Sequence, residues 1–174
     1  MQSMCSQPIQ LSGIKSAVWH TLNENLLACS SEFLRRVLQD NFLTNAYHKE
    51  LLGLMSETQF EWHYNANITN DKETHLSEFG FFHIFFDEKG GRQSRTASFW
   101  YPGLLQIQDA VNGSSILRSR ADMTMYTGIN FSHEPHVDYE FENIATVYYV
   151  NDSDGPTIIE GNLIEPKANR LVIF

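Results

Sequence analysis

From Ile116 to its last residue, the chain is a series of short strand-like runs separated by turn residues. Three of these runs are Ile116 to Tyr126, Ile144 to Val150 and Arg170 to Phe174, and they are rich in β-branched and aromatic residues. Such residues favour strands, whereas the stretch from Asn151 to Gly155 is typical of a turn. Short strands of this kind bury their apolar side chains by pairing into a sandwich or a barrel.

The longest run, Ile116 to Tyr126, alternates between two kinds of side chain. Because successive side chains of a strand point to opposite faces, one face carries small and apolar residues and the other carries polar ones. The polar face holds Arg118, Arg120, Asp122, Thr124 and Tyr126. Its two arginines either contact an anionic ligand or form ion pairs with Asp122 or with nearby glutamates.

The first half of the chain has a different character, with apolar residues recurring every three or four positions. This period predicts helices, and we expect them over Leu22–Leu38 and Thr44–Ser56, followed by a short one from Pro102 to Val111. Residues 1 to about 20 are read as a loose lead-in. Further short strands are predicted at Phe79–Phe86 and Ala97–Tyr101, and the run Gln59–Tyr64 is short and aromatic.

Helices followed by many short strands predict an α+β fold. Its specific form would be a double-stranded β-helix, or jelly roll, with the N-terminal helices packed on one sheet. We divide the chain into an N-terminal extension and helix, residues 1–40, and a jelly-roll domain, residues 41–174.

Composition narrows the functional classes. A chain of 174 residues with 42% hydrophobic and 19% charged residues has room for one domain with a real core. Its net charge of −9 disfavours nucleic acid and anionic membranes as partners. The two cysteines do not form a disulfide framework, and the first residues do not resemble a signal peptide. These features predict a cytoplasmic protein.

The segment that carries chemistry is His136-Val137-Asp138. In an extended chain the imidazole and the carboxylate project to the same side, because they are two residues apart. A nitrogen and a hard oxygen on one side of a metal, with other positions open, suit non-haem Fe(II). From the triplet alone, His136 and Asp138 are either metal ligands of this kind or a solvated pair in a loop.

The order of motifs around this triplet resembles the Fe(II)- and 2-oxoglutarate-dependent dioxygenases of the prolyl-4-hydroxylase-like branch, including phage and marine bacterial forms. The triplet is followed by Val147-Tyr-Tyr-Val-Asn151 and then by Pro166-Lys-Ala-Asn-Arg-Leu-Val-Ile-Phe174, as in that family. The resemblance covers roughly Asn41 to Phe174 and is most specific from Arg118 onward.

This resemblance implies an oxidoreductase that couples decarboxylation of 2-oxoglutarate to succinate with hydroxylation of a C–H bond. Its cofactors would be Fe(II) and 2-oxoglutarate, with dioxygen as cosubstrate and ascorbate as a supporting reductant. The substrate would be a peptide, a protein or a small molecule. Carried over by position, His136 and Asp138 match two iron ligands. Tyr126 and Tyr149 match residues that bind 2-oxoglutarate.

The sequence departs from the family at its end. The family has a distal His as third iron ligand and a following Arg or Lys that binds the cosubstrate, and neither follows Phe174. We therefore expect a parent protein that continues, with the last strands of the jelly roll missing here. The 174-residue chain itself is then expected to be inactive.

Three alternatives remain open at this stage. His133 lies three residues before His136 and, with Asp138, would make a zinc-like three-ligand loop. A non-catalytic jelly-roll module, structural or ligand-binding, has the same strand pattern without needing a metal. A cupin-like enzyme would bind metal without using 2-oxoglutarate. The remaining histidine in an apolar run, His83, is predicted to be a hydrogen-bonded strand residue.

Overall fold

The computed structural model describes residues 14–23, 37–68, 79–87, 91–128, 132–133, 135–159 and 161–174, with the backbone alone for 14–23 and 37. These residues form two helices, α1 (Asn45–Ser56) and α2 (Ala97–Ala110). They also form nine strands: β1 (Ile14–Asn23), β2 (Val37–Asp40), β3 (His63–Asn65), β4 (Gly80–Phe86), β5 (Ser115–Met125), β6 (Ile144–Tyr149), β7 (Thr157–Ile159), β8 (Asn162–Ile164) and β9 (Arg170–Ile173). The predicted α+β class is confirmed.

Seven of the strands form one antiparallel sheet in the order β2-β9-β6-β1-β5-β4-β3, and β7 and β8 form a separate hairpin. Strand β1 lies in the middle of the sheet, where it pairs with β5 along its whole length and with β6 over Ala17–Leu22. A register shift between Thr21 and Leu22 marks a bulge near its end. The longest strands therefore lie at the centre and the short ones at the edges.

The two helices pack on one face of this sheet. Helix α1 contributes Leu51 and Met55, α2 contributes Trp100, Leu104 and Ile107, and the strands beneath contribute Phe85, Ala121, Tyr148 and Leu171. Burial of this apolar area is the dominant favourable contribution to folding. A second, smaller cluster forms on the opposite face from Val147, Tyr149, Ile159, Ile164 and Val172. The hairpin of β7 and β8 thus covers part of the face that the helices leave open.

The predictions for the first 40 residues are wrong where the structure can test them. Residues 14–20 form most of β1, not a loose lead-in, and the ends of the predicted helix Leu22–Leu38 lie in β1 and β2. Both β1 and β2 belong to the same sheet as the strands after residue 41. Lys15, Ser16, His20 and Thr21 interrupt the apolar pattern, so hydrogen bonding on both sides of β1 outweighs a weak local preference. Residues 24–36 lie outside the described residues.

Helix α2 also differs from its prediction. Ala97–Tyr101, predicted as a strand, is its first part, and Pro102 lies inside the helix and not in its first turn. The aromatic residues that suggested a strand include Trp100, which the helix buries completely. Packing against the sheet therefore outweighs the local preference and the lost hydrogen bond of an internal proline.

Most of the remaining predictions are confirmed to within a few residues. Helix α1 begins after Thr44, whose side chain accepts a hydrogen bond from the Tyr47 N–H at 3.4 Å. The predicted strands at Phe79–Phe86, Ile116–Tyr126, Ile144–Val150 and Arg170–Phe174 correspond to β4, β5, β6 and β9. Of the run Gln59–Tyr64, only the last two residues belong to β3. Neither helix in the described part of the chain is long and apolar enough to cross a membrane.

Candidate metal centre

The described part of the segment between β5 and β6 brings Asp138 and Tyr139 into contact with Arg118, on the face of the sheet that the helices leave open. Both β5 and β6 run antiparallel to β1, and Leu22 of β1 pairs with Ile116 and with Ile144. Strand β6 therefore begins at the same end of the sheet as β5. The chain that leaves β5 at Met125 has to return along the length of that strand, and His136 and Asp138 lie on the returning part.

The structure brings His136 and Asp138 together. The His136 Nε2 atom lies 4.0 Å from the Asp138 Oδ1 atom, and the side chains are 49% and 26% exposed. Val137, between them, is 79% exposed. The imidazole and the carboxylate therefore meet, as expected for side chains two residues apart in extended backbone.

Arg118 of β5 holds the other oxygen of Asp138. Its guanidinium Nη2 lies 2.5 Å from the Asp138 Oδ2 atom, and its Cζ lies 5.5 Å from the centre of the Tyr139 ring. Burial lowers the pKa of Arg118, but the hydrogen bond and negative charge of Asp138 outweigh this and raise it. The guanidinium is thus held between a carboxylate and an aromatic face, an arrangement that suits arginine better than lysine.

A second arginine on the same face makes a separate ion pair. The Arg120 Nε atom lies 2.8 Å from the Asp122 Oδ2 atom. Burial raises the pKa of Asp122, while Arg120 opposes the shift by stabilising the carboxylate. Of the two roles predicted for Arg120, ion pairing with Asp122 is confirmed. The sequence does not predict the pairing of Arg118 with Asp138, because strand alternation does not show where a long connection returns.

Tyr149 lies on the same face of the sheet, but it is buried. Tyr149 and Asp122 both pair with Ala17, so they lie two strands apart, or about 10 Å. The Tyr149 side chain is 0% exposed and packs in the cluster beneath β7 and β8, with its hydroxyl beside the Thr157 side chain. Burial raises the pKa of Tyr149, so its phenol stays protonated and able to donate.

The structure does not bring Tyr126 to the pair. Tyr126 follows the last residue of β5, eight positions beyond Arg118, which is roughly 26 Å along a strand. Its side chain is 60% exposed. Since Arg118 binds Asp138, Tyr126 lies at the opposite end of β5 from the pair.

Among the described residues, no group of three or more His, Cys, Asp and Glu side chains is placed to hold a metal. His133 therefore does not complete a three-ligand site with His136 and Asp138. The prediction for His83 is confirmed: it is 2% exposed, its Nδ1 lies 2.8 Å from the Glu61 carbonyl oxygen, and its Nε2 lies 3.0 Å from the Thr96 hydroxyl.

The spacing of His136 and Asp138 can be compared with that of two ligands of one divalent metal. Donors bonded at about 2.1 Å and at right angles to one another lie about 3 Å apart. The observed 4.0 Å is about an ångström wider, so the two side chains would have to close by about that distance to share a metal. The Asp138 Oδ1 atom faces the imidazole, while Arg118 binds the other oxygen. One imidazole nitrogen and one carboxylate oxygen are a donor set that Fe(II) accepts.

Comparison with protein-family models, with curated proteins and with solved structures found no match for this chain. Its residues and their geometry therefore carry the functional assignment.

Proposed function

We propose that the protein is an Fe(II)- and 2-oxoglutarate-dependent dioxygenase, a hydroxylase of the prolyl-4-hydroxylase-like kind. The observation that carries the proposal is the meeting of His136 and Asp138 on the sheet face opposite the helices, with Arg118 binding the second carboxylate oxygen. A carboxylate that ligates a metal is commonly oriented through its other oxygen, and Arg118 contacts Asp138 in that way.

The fold supports the proposal at a coarser level. Helices cover one face of the seven-stranded sheet, and the other face carries the charged residues of β5 and the β7–β8 hairpin. This division is the one expected if the sheet is one half of a double-stranded β-helix. The site would then lie between the two halves, with Tyr149 and the apolar residues around it forming part of its wall.

The chain's own residues would have distinct roles in this reaction. Bound Fe(II) and 2-oxoglutarate would supply the chemistry that activates dioxygen for hydroxylation. His136 and Asp138 would hold the metal, and Arg118 would keep the Asp138 carboxylate in place. The neutral Tyr149 hydroxyl would donate a hydrogen bond to the far carboxylate of 2-oxoglutarate. Because Tyr149 is buried beside Thr157, binding there requires that contact to open.

Coupled binding of metal and cosubstrate tests this proposal. Isothermal titration under anaerobic conditions would measure 2-oxoglutarate affinity with and without Fe(II). We expect Fe(II) to strengthen 2-oxoglutarate binding, and D138N to remove that effect because the metal has lost its anionic ligand. Y149F should weaken binding roughly 10-fold or more, since a hydrogen bond to a charged group contributes about 1.5–3 kcal/mol.

Two matched controls accompany these variants. D154N removes an exposed carboxylate elsewhere, and Y126F removes a phenol hydroxyl from the far end of β5; both should bind as the wild type does. Cosubstrate binding that is the same with and without Fe(II), or that D138N leaves unchanged, would contradict the proposal.

A further inference from the structure

We infer that Arg118 is a positioning residue, which orients Asp138 for the metal by binding the carboxylate oxygen that does not face His136. The inference rests on the proposed function for the presence of the metal. It adds a residue on a different element, β5, whose contribution is separable from that of the ligands themselves.

The first argument concerns the connection between β5 and β6. Residues 135–143 form no helix or strand, so the backbone around His136 and Asp138 gains no support from a hydrogen-bonded ladder. Asp138 and Tyr139 both contact the Arg118 guanidinium, through an ion pair at 2.5 Å and through a ring centre at 5.5 Å. Arg118 therefore fastens two adjacent residues of an irregular segment to a central strand.

The second argument concerns the carboxylate itself. Its Oδ2 atom lies against Arg118 and its Oδ1 atom lies 4.0 Å from the His136 Nε2 atom, so the two oxygens have different partners. The contact with Arg118 restrains the carboxylate and leaves Oδ1 as the oxygen nearer the imidazole. A ligand whose orientation is fixed before metal arrives loses less conformational freedom on binding.

The third argument is the contrast with Arg120. It lies two residues further along β5 on the same face, and it is bound to Asp122. The two arginines therefore share strand, face and type of partner, but only Arg118 contacts the proposed ligand. Arg120 serves as an internal control for general effects of changing an arginine on this face.

The test is a titration of the full chain with Co(II), followed by visible absorption, for the wild type, D138N, R118M, R118K and R120K. The position and intensity of the Co(II) bands report coordination geometry, and the titration gives the dissociation constant. Thermal unfolding of each metal-free variant shows whether it folds.

We expect R118M to bind Co(II) about 10–100-fold more weakly than the wild type and with altered bands, as is typical when the partner of a metal ligand is lost. R118K should recover part of the affinity, because it keeps the charge but not the planar fork. R120K should match the wild type. These outcomes separate positioning from stability, since a purely structural role would shift the unfolding temperature without changing the bands.

The experiment distinguishes failure of the inference about Arg118 from failure of the proposed function. Wild-type affinity and bands in folded R118M and R118K, with binding lost in D138N, would overturn the role of Arg118 and leave the proposed function standing. If R118M does not fold, the Co(II) affinity and absorption bands of R118K alone test the role of Arg118. Wild-type protein that binds no Co(II), or binds it equally well as D138N, would overturn the proposed function, and this inference with it.

Discussion

At the scale of single residues, the buried side chain of His83 joins strand β4 to Glu61 and Thr96. The Glu61 carbonyl only accepts hydrogen bonds, so the His83 Nδ1 atom must carry the proton that bridges their 2.8 Å separation. A neutral His83 then accepts from the Thr96 hydroxyl through its Nε2 atom. Burial lowers the pKa of His83, and it also lowers the pKa of His48, whose Nδ1 contacts the Tyr148 hydroxyl.

These lowered pKa values predict a loss of stability in mild acid. Between the lowered folded pKa and the ordinary value of about 6.5, the unfolded chain binds more protons than the folded one. The stabilisation is therefore complete above about pH 6.5 and declines as the pH falls below it. Urea unfolding between pH 8 and pH 5 should show a falling free energy of unfolding.

His83 can be separated from the other histidines in the same experiment. H83N keeps a side-chain N–H for Glu61 but does not titrate, so it should flatten part of this slope. A slope unchanged in H83N would show that His83 does not contribute.

Substitution of the buried Asn169 is a second residue-scale test, of how much its side-chain contacts stabilise the fold. Its backbone φ is +61°, its side chain is nearly fully buried, and its amide pairs with both the N–H and the C=O of Leu43 at 2.8 Å. N169G keeps the backbone conformation but leaves both Leu43 groups without that partner. We expect a loss of about 2–4 kcal/mol in the free energy of unfolding.

Asn112 is the matched control for this substitution, since it has a φ of +52° but is exposed. N112G should change the free energy of unfolding by no more than a few tenths of a kcal/mol. Equal effects of N169G and N112G in chemical denaturation would mean that the Leu43 contacts do not stabilise the fold.

At the scale of elements, the strands whose patterns are strict were predictable and those supported by the sheet were not. The alternation of β5 is visible because Arg118, Arg120 and Asp122 fall on one face. Strand β1 does not alternate regularly between polar and apolar residues. Pairing with β5 and β6, which are distant in sequence, makes it a strand, so its local sequence does not predict it. The candidate site also has one part that the sequence predicts and one part that it does not. His136 and Asp138 are two positions apart in sequence, whereas the contact of Asp138 with Arg118 depends on the returning connection.

Alanine substitutions at the glycines of α1 and α2, Gly53 and Gly103, should have opposite effects on stability. A Cβ atom at Gly53 of α1 would meet nothing within 4 Å, while one at Gly103 of α2 would lie 2.7 Å from the buried Trp100 ring. G53A should stabilise the protein by about 0.5–1 kcal/mol, because alanine favours helix.

G103A has the same helical gain but forces a well-packed ring to move, so it should destabilise the protein by about 1–3 kcal/mol. Thermal unfolding of both variants checks the pair. Stabilisation by G103A would mean that the ring of Trp100 is free to shift.

At the scale of the whole molecule, the main hydrophobic core and the proposed metal ligands lie on opposite faces of the sheet. The helix-covered face holds most of the large buried side chains, and the opposite face holds the pair of proposed ligands and both arginines of β5. A metal bound by His136 and Asp138 would therefore lie on the open side and far from the residues that link the helices to the sheet.

Paramagnetic relaxation by Mn(II) tests this central claim most directly. In a ¹H–¹⁵N spectrum of the full chain, substoichiometric Mn(II) broadens the amide signals nearest to its binding site. We expect the strongest broadening at residues 135–139 and around Arg118, with Leu51 and Leu104 of the helices little affected and D138N showing no localised broadening. Broadening centred on another part of the chain, or unchanged in D138N, would contradict the account.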